Sequence, residues 1–225
     1  MKRIDIKNIT LGDAYMKNAW LVRPFPHGTK RLDEFKTQNI VAVGWPGIGD
    51  LTNKSRENIK KILSGEPYQL NGLELGNAYA TIDIFVNRMQ VGDFILTPDG
   101  DDIYFGEITS DYYMESSVNN DNTGYPHQRK VKWLNSTLRK SLSMPLRSSL
   151  KVHRTTADLS VHVVEIESLA NGKDYKAEKL GEANVISVNY PLRPDYTVSF
   201  NVPSNISKDE AKRLSNYLET LYFVQ

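Results

Sequence analysis

Aromatic side chains stand at two places where a planar ligand could be held. Trp45 follows the apolar run 40–44 and precedes the Pro46-Gly47 loop, so its indole is expected at the end of a buried strand. Tyr112 and Tyr113 end a hairpin-like segment, and one of the two should face a pocket because adjacent side chains of an extended chain point in opposite directions. Stacking of a base on an aromatic ring is worth about 1–3 kcal/mol. Core packing is the alternative role for these rings.

Polar side chains that could hydrogen-bond to the edge of a ligand lie near these aromatic residues in the sequence. Tyr125-Pro126-His127 follows the polar, turn-rich segment 115–124, and such a loop can deliver a ring and an imidazole to a ligand. Asp93 ends a Val91-Gly92-Asp93 turn and could accept from an exocyclic amine. Two alternatives stay open, because His127 could be satisfied within its turn and Asp93 could accept from nearby backbone amides.

Basic residues concentrate in the middle of the chain. Those predicted to contact phosphates are Arg23, Arg129, Lys130, Lys132 and Arg147. Others nearby are Arg139, Lys140, Lys151 and Arg154. A solvated face would give the same pattern. Since 28 Lys and Arg balance 27 Asp and Glu, the whole chain has no strong positive field, and any phosphate contact must be local.

Motifs of several enzyme classes are missing from the sequence. No cysteine is present, and the four histidines lack the spacing of a zinc site. Neither a nucleophile elbow nor a phosphate-binding Gly-Lys-Ser/Thr loop occurs. Pro98-Asp99 with Glu107 superficially matches a nuclease pattern, but Thr109 stands where that pattern needs a lysine. The sequence therefore predicts a protein that is not an enzyme and that needs no metal or cofactor.

Alternating apolar patterns predict strands, and helical spacing predicts helices around them. Expected strands cover 19–23, 40–45, 94–97, 103–108, 129–134 and 161–166, and expected helices cover 31–37, 55–63 and 79–86. Gly106 within a strand indicates a bulge or a close approach, for which a ligand is one candidate. After 173 come runs at 185–188 and 197–202 and a Ser207 to Glu210 capping box that begins a helix. The class predicted is α+β, with a small mixed β-barrel at 1–172, capping helices, and a strand-helix extension at 173–225.

The order of these motifs resembles the EVE-like members of the PUA superfamily, as found in the N-terminal module of Mrr-type and other modification-dependent restriction endonucleases. The motifs are a Trp20 strand, a Gly44-Trp45 strand, a helical insertion, the Val91-Gly92-Asp93 hairpin, the Tyr125-Pro126-His127 loop and a strand ending in Trp133. The resemblance implies a PUA/EVE-like barrel that binds a flipped, modified base, in DNA rather than RNA. It also implies a part in restriction or phage defence beside a separate or fused nuclease.

A second function remains open from the sequence. The same pocket could hold a free small nucleotide or metabolite, which would make the chain a sensor in a defence or regulatory system. The apolar stripe of the last helix needs a partner surface, either the barrel or a second copy in a homodimer. The polar start and the absence of an apolar run of ~20 residues predict a cytoplasmic protein without a membrane partner.

Overall fold

The computed structural model describes residues 17–175, 185–204 and 206–218. The chain divides into two compact units, of which the first ends at Tyr175 and the second begins at Lys176. The boundary predicted from the sequence lies three residues earlier, between 172 and 173. Within the described ranges, no helix combines the length and the apolar character that crossing a bilayer would require.

The first unit is built on one seven-stranded sheet. Its strands are β1 (Ala19–Val22), β2 (Ile40–Val43), β3 (Phe94–Asp99), β4 (Asp102–Ile108), β5 (Tyr113–Met114), β6 (His127–Leu138) and β7 (Thr156–Asp158). They run in the order β2-β6-β4-β3-β1-β7, with β5 also on β6. Among the strands of the first unit that the structure describes, only β1 and β3 pair in parallel, and the other pairings are antiparallel. This sheet curls into a half-barrel, and its end strands β2 and β7 do not pair with each other.

Helices cover this sheet and complete the α+β class that the sequence predicts. They are α1 (Leu32–Gln38), α2 (Arg56–Ser64), α3 (Gly72–Asp83), α4 (Met144–Ser149) and α5 (Val163–Ala170). Helix α2 begins where Ser55 accepts a hydrogen bond from the Asn58 amide, as an N-cap should. Helix α3 continues into one π-helical turn, Ile84–Arg88.

Gly106 lies at an irregularity in the pairing of β4 with β6. The register shifts between Phe105 and Gly106, which agrees with the predicted bulge. A Cβ built on Gly106 would overlap Cγ1 of Val131 and would lie 3.2 Å from Cε3 of Trp133. The close approach expected at this glycine therefore comes from the neighbouring strand of the protein itself, not from a ligand.

The strand predicted at 161–166 is wrong, because this segment enters a helix. Helix α5 buries Ile166, Leu169 and Ala170 against the sheet, and these positions follow helical spacing. The alternation of apolar and polar residues before Ile166 therefore reflects the first turns of a helix. The last strand of the sheet is instead β7, which pairs with β1.

Two apolar clusters meet at the place where the candidate site forms. One lies under β2 and contains Trp20 and Phe85, and the other lies between α2 and α3. Trp45 and Tyr112 pack against both clusters. Trp20 is buried and Trp133 is partly buried against the first cluster, so both indole rings contribute to the core.

The second unit consists of a hairpin and a helix. Strands β8 (Val185–Arg193) and β9 (Tyr196–Pro203) pair antiparallel, and helix α6 (Lys208–Leu218) follows. Ser207 donates its backbone N–H to the Glu210 carboxylate at 2.8 Å, and its Oγ accepts from the Glu210 amide at 3.2 Å. This is the predicted capping box. Leu221 and Tyr222, which continue the apolar stripe of this helix in the sequence, lie outside the described residues.

Candidate functional site

Trp45 has an unusual main-chain conformation. Its φ is +66°, in the left-handed region, although it carries a large side chain. A non-glycine residue held there costs on the order of 1–3 kcal/mol, and such residues cluster at binding sites. Trp45 lies two residues after Val43, the last residue of the buried strand β2, so the sheet fixes the main chain on the N-terminal side of Trp45.

Hydrogen bonds hold the other side of Trp45. Its carbonyl oxygen lies 3.3 Å from Nε2 of His127. Because a carbonyl can only accept, Nε2 carries the proton and Nδ1 is the acceptor. Nδ1 accepts from the Tyr112 hydroxyl at 2.8 Å, and that hydroxyl accepts from the Leu51 amide at 3.2 Å. The result is a chain of hydrogen bonds from Leu51 to the main chain of Trp45.

Burial keeps this chain in one protonation state. His127 is only 1% exposed, and desolvation lowers the pKa of its imidazole to about 4, so the ring is neutral near pH 7. Burial also raises the pKa of the Tyr112 hydroxyl, which therefore keeps its proton. The two rings stack with centroids 5.9 Å apart. Tyr112 and His127 were both predicted as pocket residues. They do not line the cavity at Trp45 but hold the main chain of Trp45 through hydrogen bonds.

A cavity of about 230 Å³ opens beside Trp45. Its walls include Phe25, His27, Gly44, Tyr68 and Thr155. Pockets for drug-sized ligands measure roughly 300–1,000 Å³. This one has room for a single ring system.

Two glycines fix the position of His27 in this wall. A Cβ on Gly44 would lie 2.7 Å from the His27 backbone nitrogen, and a Cβ on Gly124 would lie 2.6 Å from Cβ of His27. Neither contact is tolerable, so both positions require glycine. Phe25 and His27 are not among the pocket residues predicted from the sequence. The signal available was an aromatic and an imidazole in a short loop after a buried strand.

Two further cavities adjoin the first and share Thr155 with it. One, of about 420 Å³, also borders Trp45 and includes Glu74 and Asn77 from α3. The other, of about 660 Å³, is basic and includes Arg23, Arg139, Lys151, His153 and Arg154. The concave surface of the first unit therefore passes from an aromatic region to a positively charged one.

The predicted pocket residue Asp93 lies in the interior, away from this surface. Its side chain is 0% exposed and accepts from the Trp20 indole at 2.7 Å. It also accepts from the backbone amides of Asn18 at 2.9 Å and Gln90 at 3.0 Å. The structure therefore agrees with the alternative role of Asp93, in which its carboxylate accepts hydrogen bonds from the protein itself and is not available to a ligand.

The remaining two predicted pocket residues also lie elsewhere. Tyr125 is 5% exposed and belongs to the core under β2, with the Arg31 guanidinium 5.5 Å from its ring centroid. The hydroxyl of Tyr113 donates to Oε1 of Gln128 at 2.9 Å. Neither side chain lines the Trp45 cavity.

Arg129, predicted to contact phosphate, is 2% exposed. Its Nε donates to the carbonyl of Phe85 at 2.7 Å and its Nη2 to that of Val86 at 2.9 Å, both in the π-helical turn. Burial lowers the pKa of Arg129 to about 10. The prediction does not fit this geometry, because the guanidinium ties β6 to the end of a helix.

The other predicted phosphate contacts divide into two groups. Arg23 lies in the basic cavity. Lys130 and Lys132 are exposed on β6, and Arg147 is half-buried, but none of these three lines the basic cavity. Segment 150–155 and Arg139 supply the cations instead. Arg139, Lys151 and Arg154 were noted from the sequence as basic residues in the middle of the chain, but they were not predicted to contact phosphate.

Two features of the described residues bear on metal binding and catalysis. No group of three or more His, Cys, Asp or Glu residues there is arranged to hold a metal. Ser149 Oγ lies 2.8 Å from Nε2 of His162. No carboxylate among the described residues completes this pair as a catalytic triad.

Comparisons with known proteins give a family match and a slight structural likeness. Residues 25–157, more than half of the chain, match a family model described as a domain of unknown function, DUF8426. No curated protein matches the chain. The X-ray crystal structure of protein Atu2648 from Agrobacterium tumefaciens aligns with 71% of this chain and 99% of its own, at 11% identity and a TM-score of 0.30. A TM-score this low carries no argument.

Proposed function

We propose that this chain, which belongs to the DUF8426 family, is a nucleic-acid-binding module that holds one base against Trp45. The observation that carries the proposal is the strained main chain of Trp45, fixed by the buried His127 beside a ring-sized cavity. Strain of this kind persists only when the surroundings enforce it. A site that holds its aromatic ring in place before binding loses less free energy to ordering.

The walls of the cavity supply both stacking and polar recognition. Trp45 and Phe25 offer apolar ring surfaces, and Phe25 is 46% exposed in the free protein. The Tyr68 hydroxyl donates to the Pro46 carbonyl at 3.0 Å, which fixes that ring. His27 and Thr155 provide polar atoms at the edge. A base has both a flat face and a polar edge, and this combination suits it.

Further features of the proposal rest on the resemblance to EVE-like modules. They are a base that is flipped out of DNA, a modification on that base, and a role in restriction or phage defence with a nuclease as partner. Extruding a base costs a few kcal/mol, and the cost is smallest where pairing is already weak. One aromatic stack of about 1–3 kcal/mol offsets part of this cost, and contacts to the edge and backbone must supply the rest.

A free small nucleotide or metabolite is the second candidate ligand. The observation that favours it is the cavity volume of about 230 Å³, which suits a single ring system and demands no polymer. Salt separates the two functions. Affinity for a polynucleotide falls steeply as salt rises, whereas affinity for a small ligand with little charge changes little.

The experiment is a binding series with short fluorescent duplexes and single strands that carry cytosine, methylcytosine, adenine or methyladenine, at low and moderate salt. Three proteins are compared: wild type, Trp45→Phe and Trp45→Gly. Glycine removes the ring and also suits the left-handed main chain, so the variant should fold. We expect Trp45→Phe to bind, and Trp45→Gly to lose about 5- to 150-fold in affinity, equivalent to about 1–3 kcal/mol.

Tyr104→Ala is the control variant. Tyr104 is half-buried on β4 and lies outside the Trp45 cavity, so its loss should leave binding unchanged. Equal losses in Tyr104→Ala and Trp45→Gly would show that binding does not depend on this cavity. Absence of binding to every oligonucleotide would contradict the proposal and direct the search to free nucleotides.

A further inference from the structure

We propose that Arg23 and Arg139 form a pre-organised anion site, and that it takes a phosphate group of the same ligand whose base lies at Trp45. This inference rests on the proposed function and makes it more specific. It assigns the ligand to phosphorylated nucleotides or polynucleotide strands, and excludes free bases and nucleosides.

Arg23 is held rigidly by the main chain around it. Its Nε donates to the Arg154 carbonyl at 3.1 Å, and its Nη2 donates to the carbonyls of Leu150 and Val152, both at 2.9 Å. Its own amide donates to the Thr155 carbonyl at 2.8 Å. Nη1 makes no hydrogen bond with any residue that the structure describes. The guanidinium is therefore fixed and keeps donors for a ligand.

Arg139 is held in a similar way by the main chain of the β3–β4 hairpin. Its Nε and Nη2 both donate to the Gly100 carbonyl, at 3.1 and 3.0 Å. Its amide donates to the Asp101 carbonyl at 2.7 Å, at the end of the β3–β4 hairpin. Nη1 of Arg139 likewise has no partner within the described ranges. Arginine used in this way binds phosphate through an oriented planar fork.

The two positive charges are not neutralised by acidic partners. Among the described residues, neither Arg23 nor Arg139 forms an ion pair, and no Asp or Glu lines their shared cavity. Burial and, to a smaller extent, the positive charge of Arg139 hold the pKa of Arg23 below its usual value, as expected for two like charges that repel each other. Lys151 and Arg154 add further positive charge to the cavity. An anion placed between them would relieve this repulsion.

The base cavity and the anion site share a boundary. Thr155 lines both, and its carbonyl accepts from the amide of Arg23. A ligand with a ring at Trp45 and a phosphate close to that ring can therefore contact both sites. A nucleotide has this arrangement.

The experiment measures affinity of the full chain for a short single-stranded DNA across a range of salt concentrations. Each lost phosphate contact should reduce the magnitude of the slope of log affinity against log salt by about 0.7 for a single strand. We expect Arg139→Gln to lower affinity roughly tenfold near 0.1 M salt, a value in the range of hydrogen bonds to charged groups, and to show this slope change. Lys140→Gln is the matched control, because the exposed Lys140 is adjacent in sequence and does not line the cavity.

The possible outcomes separate the inference from the proposed function. If Arg139→Gln and Lys140→Gln change the slope equally, or if neither changes it while Trp45→Gly still loses binding, the anion site is wrong and the base site stands. A slope whose magnitude falls by about 0.7 in Arg139→Gln, and not in Lys140→Gln, supports the anion site. If Arg139→Gln does not fold, Lys151→Gln serves instead, because its side chain lines the cavity and is exposed. Absence of binding by wild type would contradict both proposals.

Discussion

His127 supports the main chain of Trp45: its Nε2 lies 3.3 Å from the Trp45 carbonyl oxygen, and the imidazole is 1% exposed. The neutral ring donates from Nε2 and accepts at Nδ1, where the Tyr112 hydroxyl lies 2.8 Å away. A proton added to Nδ1 would remove this acceptor. One buried imidazole thus links the protonation state of the core to the position of the aromatic ring in the candidate site.

Folding stability should depend on pH through His127. The unfolded imidazole has a pKa near 6.5, and burial lowers the folded value to about 4, so the unfolded state binds more protons between these pH values. The contribution of His127 to stability is therefore present above about pH 6.5 and is lost as pH falls toward 4. In this window the slope from this group should approach about 1.4 kcal/mol per pH unit. Urea unfolding from pH 7.5 to 5 measures it.

His127→Gln isolates this contribution from those of the carboxylates. The glutamine does not titrate, so the folded and unfolded states of this variant no longer differ in protons bound at position 127. Between pH 6.5 and 5 the slope of stability against pH should therefore fall by up to about 1.4 kcal/mol per pH unit. His153→Gln is the control, because His153 is exposed. An unchanged slope in His127→Gln would show that the imidazole is not held neutral in the folded protein.

Tyr112→Phe should destabilise the protein by about 1–3 kcal/mol. The change leaves Nδ1 of His127 and the Leu51 amide without their partners in a buried place. Tyr104→Phe is a suitable control, because no hydrogen bond of its hydroxyl to another described residue is present, and its effect should stay within about 0.5 kcal/mol. Equal effects of the two changes, measured by chemical unfolding, would contradict the hydrogen-bond chain.

Gly106→Ala should destabilise the sheet by about 1–3 kcal/mol, since the added Cβ meets Val131 and Trp133 on β6. Val131→Ala removes the Cγ1 that the new methyl would overlap. The double variant should therefore be more stable than the sum of the two single effects predicts. Additive effects in thermal unfolding would indicate that the cost of Gly106→Ala comes from the backbone conformation and not from the overlap with Val131.

Local patterns in the sequence were sufficient to predict much of the fold. The strand containing Trp20, the hairpin around Gly100 and the Ser207 capping box depend on neighbouring residues, so their signals are visible in the chain. The segment at 161–166 was ambiguous because a short apolar alternation fits both a strand and the first turns of a helix. Only packing against the sheet decides in favour of α5.

The candidate site was harder to predict because its parts come together only in the folded chain. Trp45 was identified from its place after a buried run, and the structure gives it a cavity. Phe25, Tyr68 and Thr155 join it from distant segments, and no spacing in the sequence links them. Asp93 and Arg129 looked like ligand-binding residues, yet both are buried and their charges are used within the protein. Residue type alone cannot tell these two uses apart.

Dimerisation through the C-terminal helix remains a prediction. Leu218 on α6 is 50% exposed and lines an apolar cavity of about 660 Å³ between the helix and its hairpin. A two-stranded hairpin is marginal by itself, so a second copy could complete its packing. Leu218→Glu should weaken self-association in sedimentation measurements at several protein concentrations, and Lys212→Gln should not, because the exposed Lys212 on the same helix does not line this cavity. A monomer at all concentrations of wild type would make the prediction wrong.

The most direct test of the central claim is the intrinsic tryptophan fluorescence of the protein during titration with short DNA, measured together with DNA anisotropy. Of the three tryptophans, Trp20 is buried and Trp133 packs against the core, so a stacked base should quench Trp45. We predict quenching that follows the binding curve in wild type and is absent in Trp45→Phe, although that variant still binds. Equal quenching in both proteins, or binding without any quenching, would contradict the stacking of a base on Trp45.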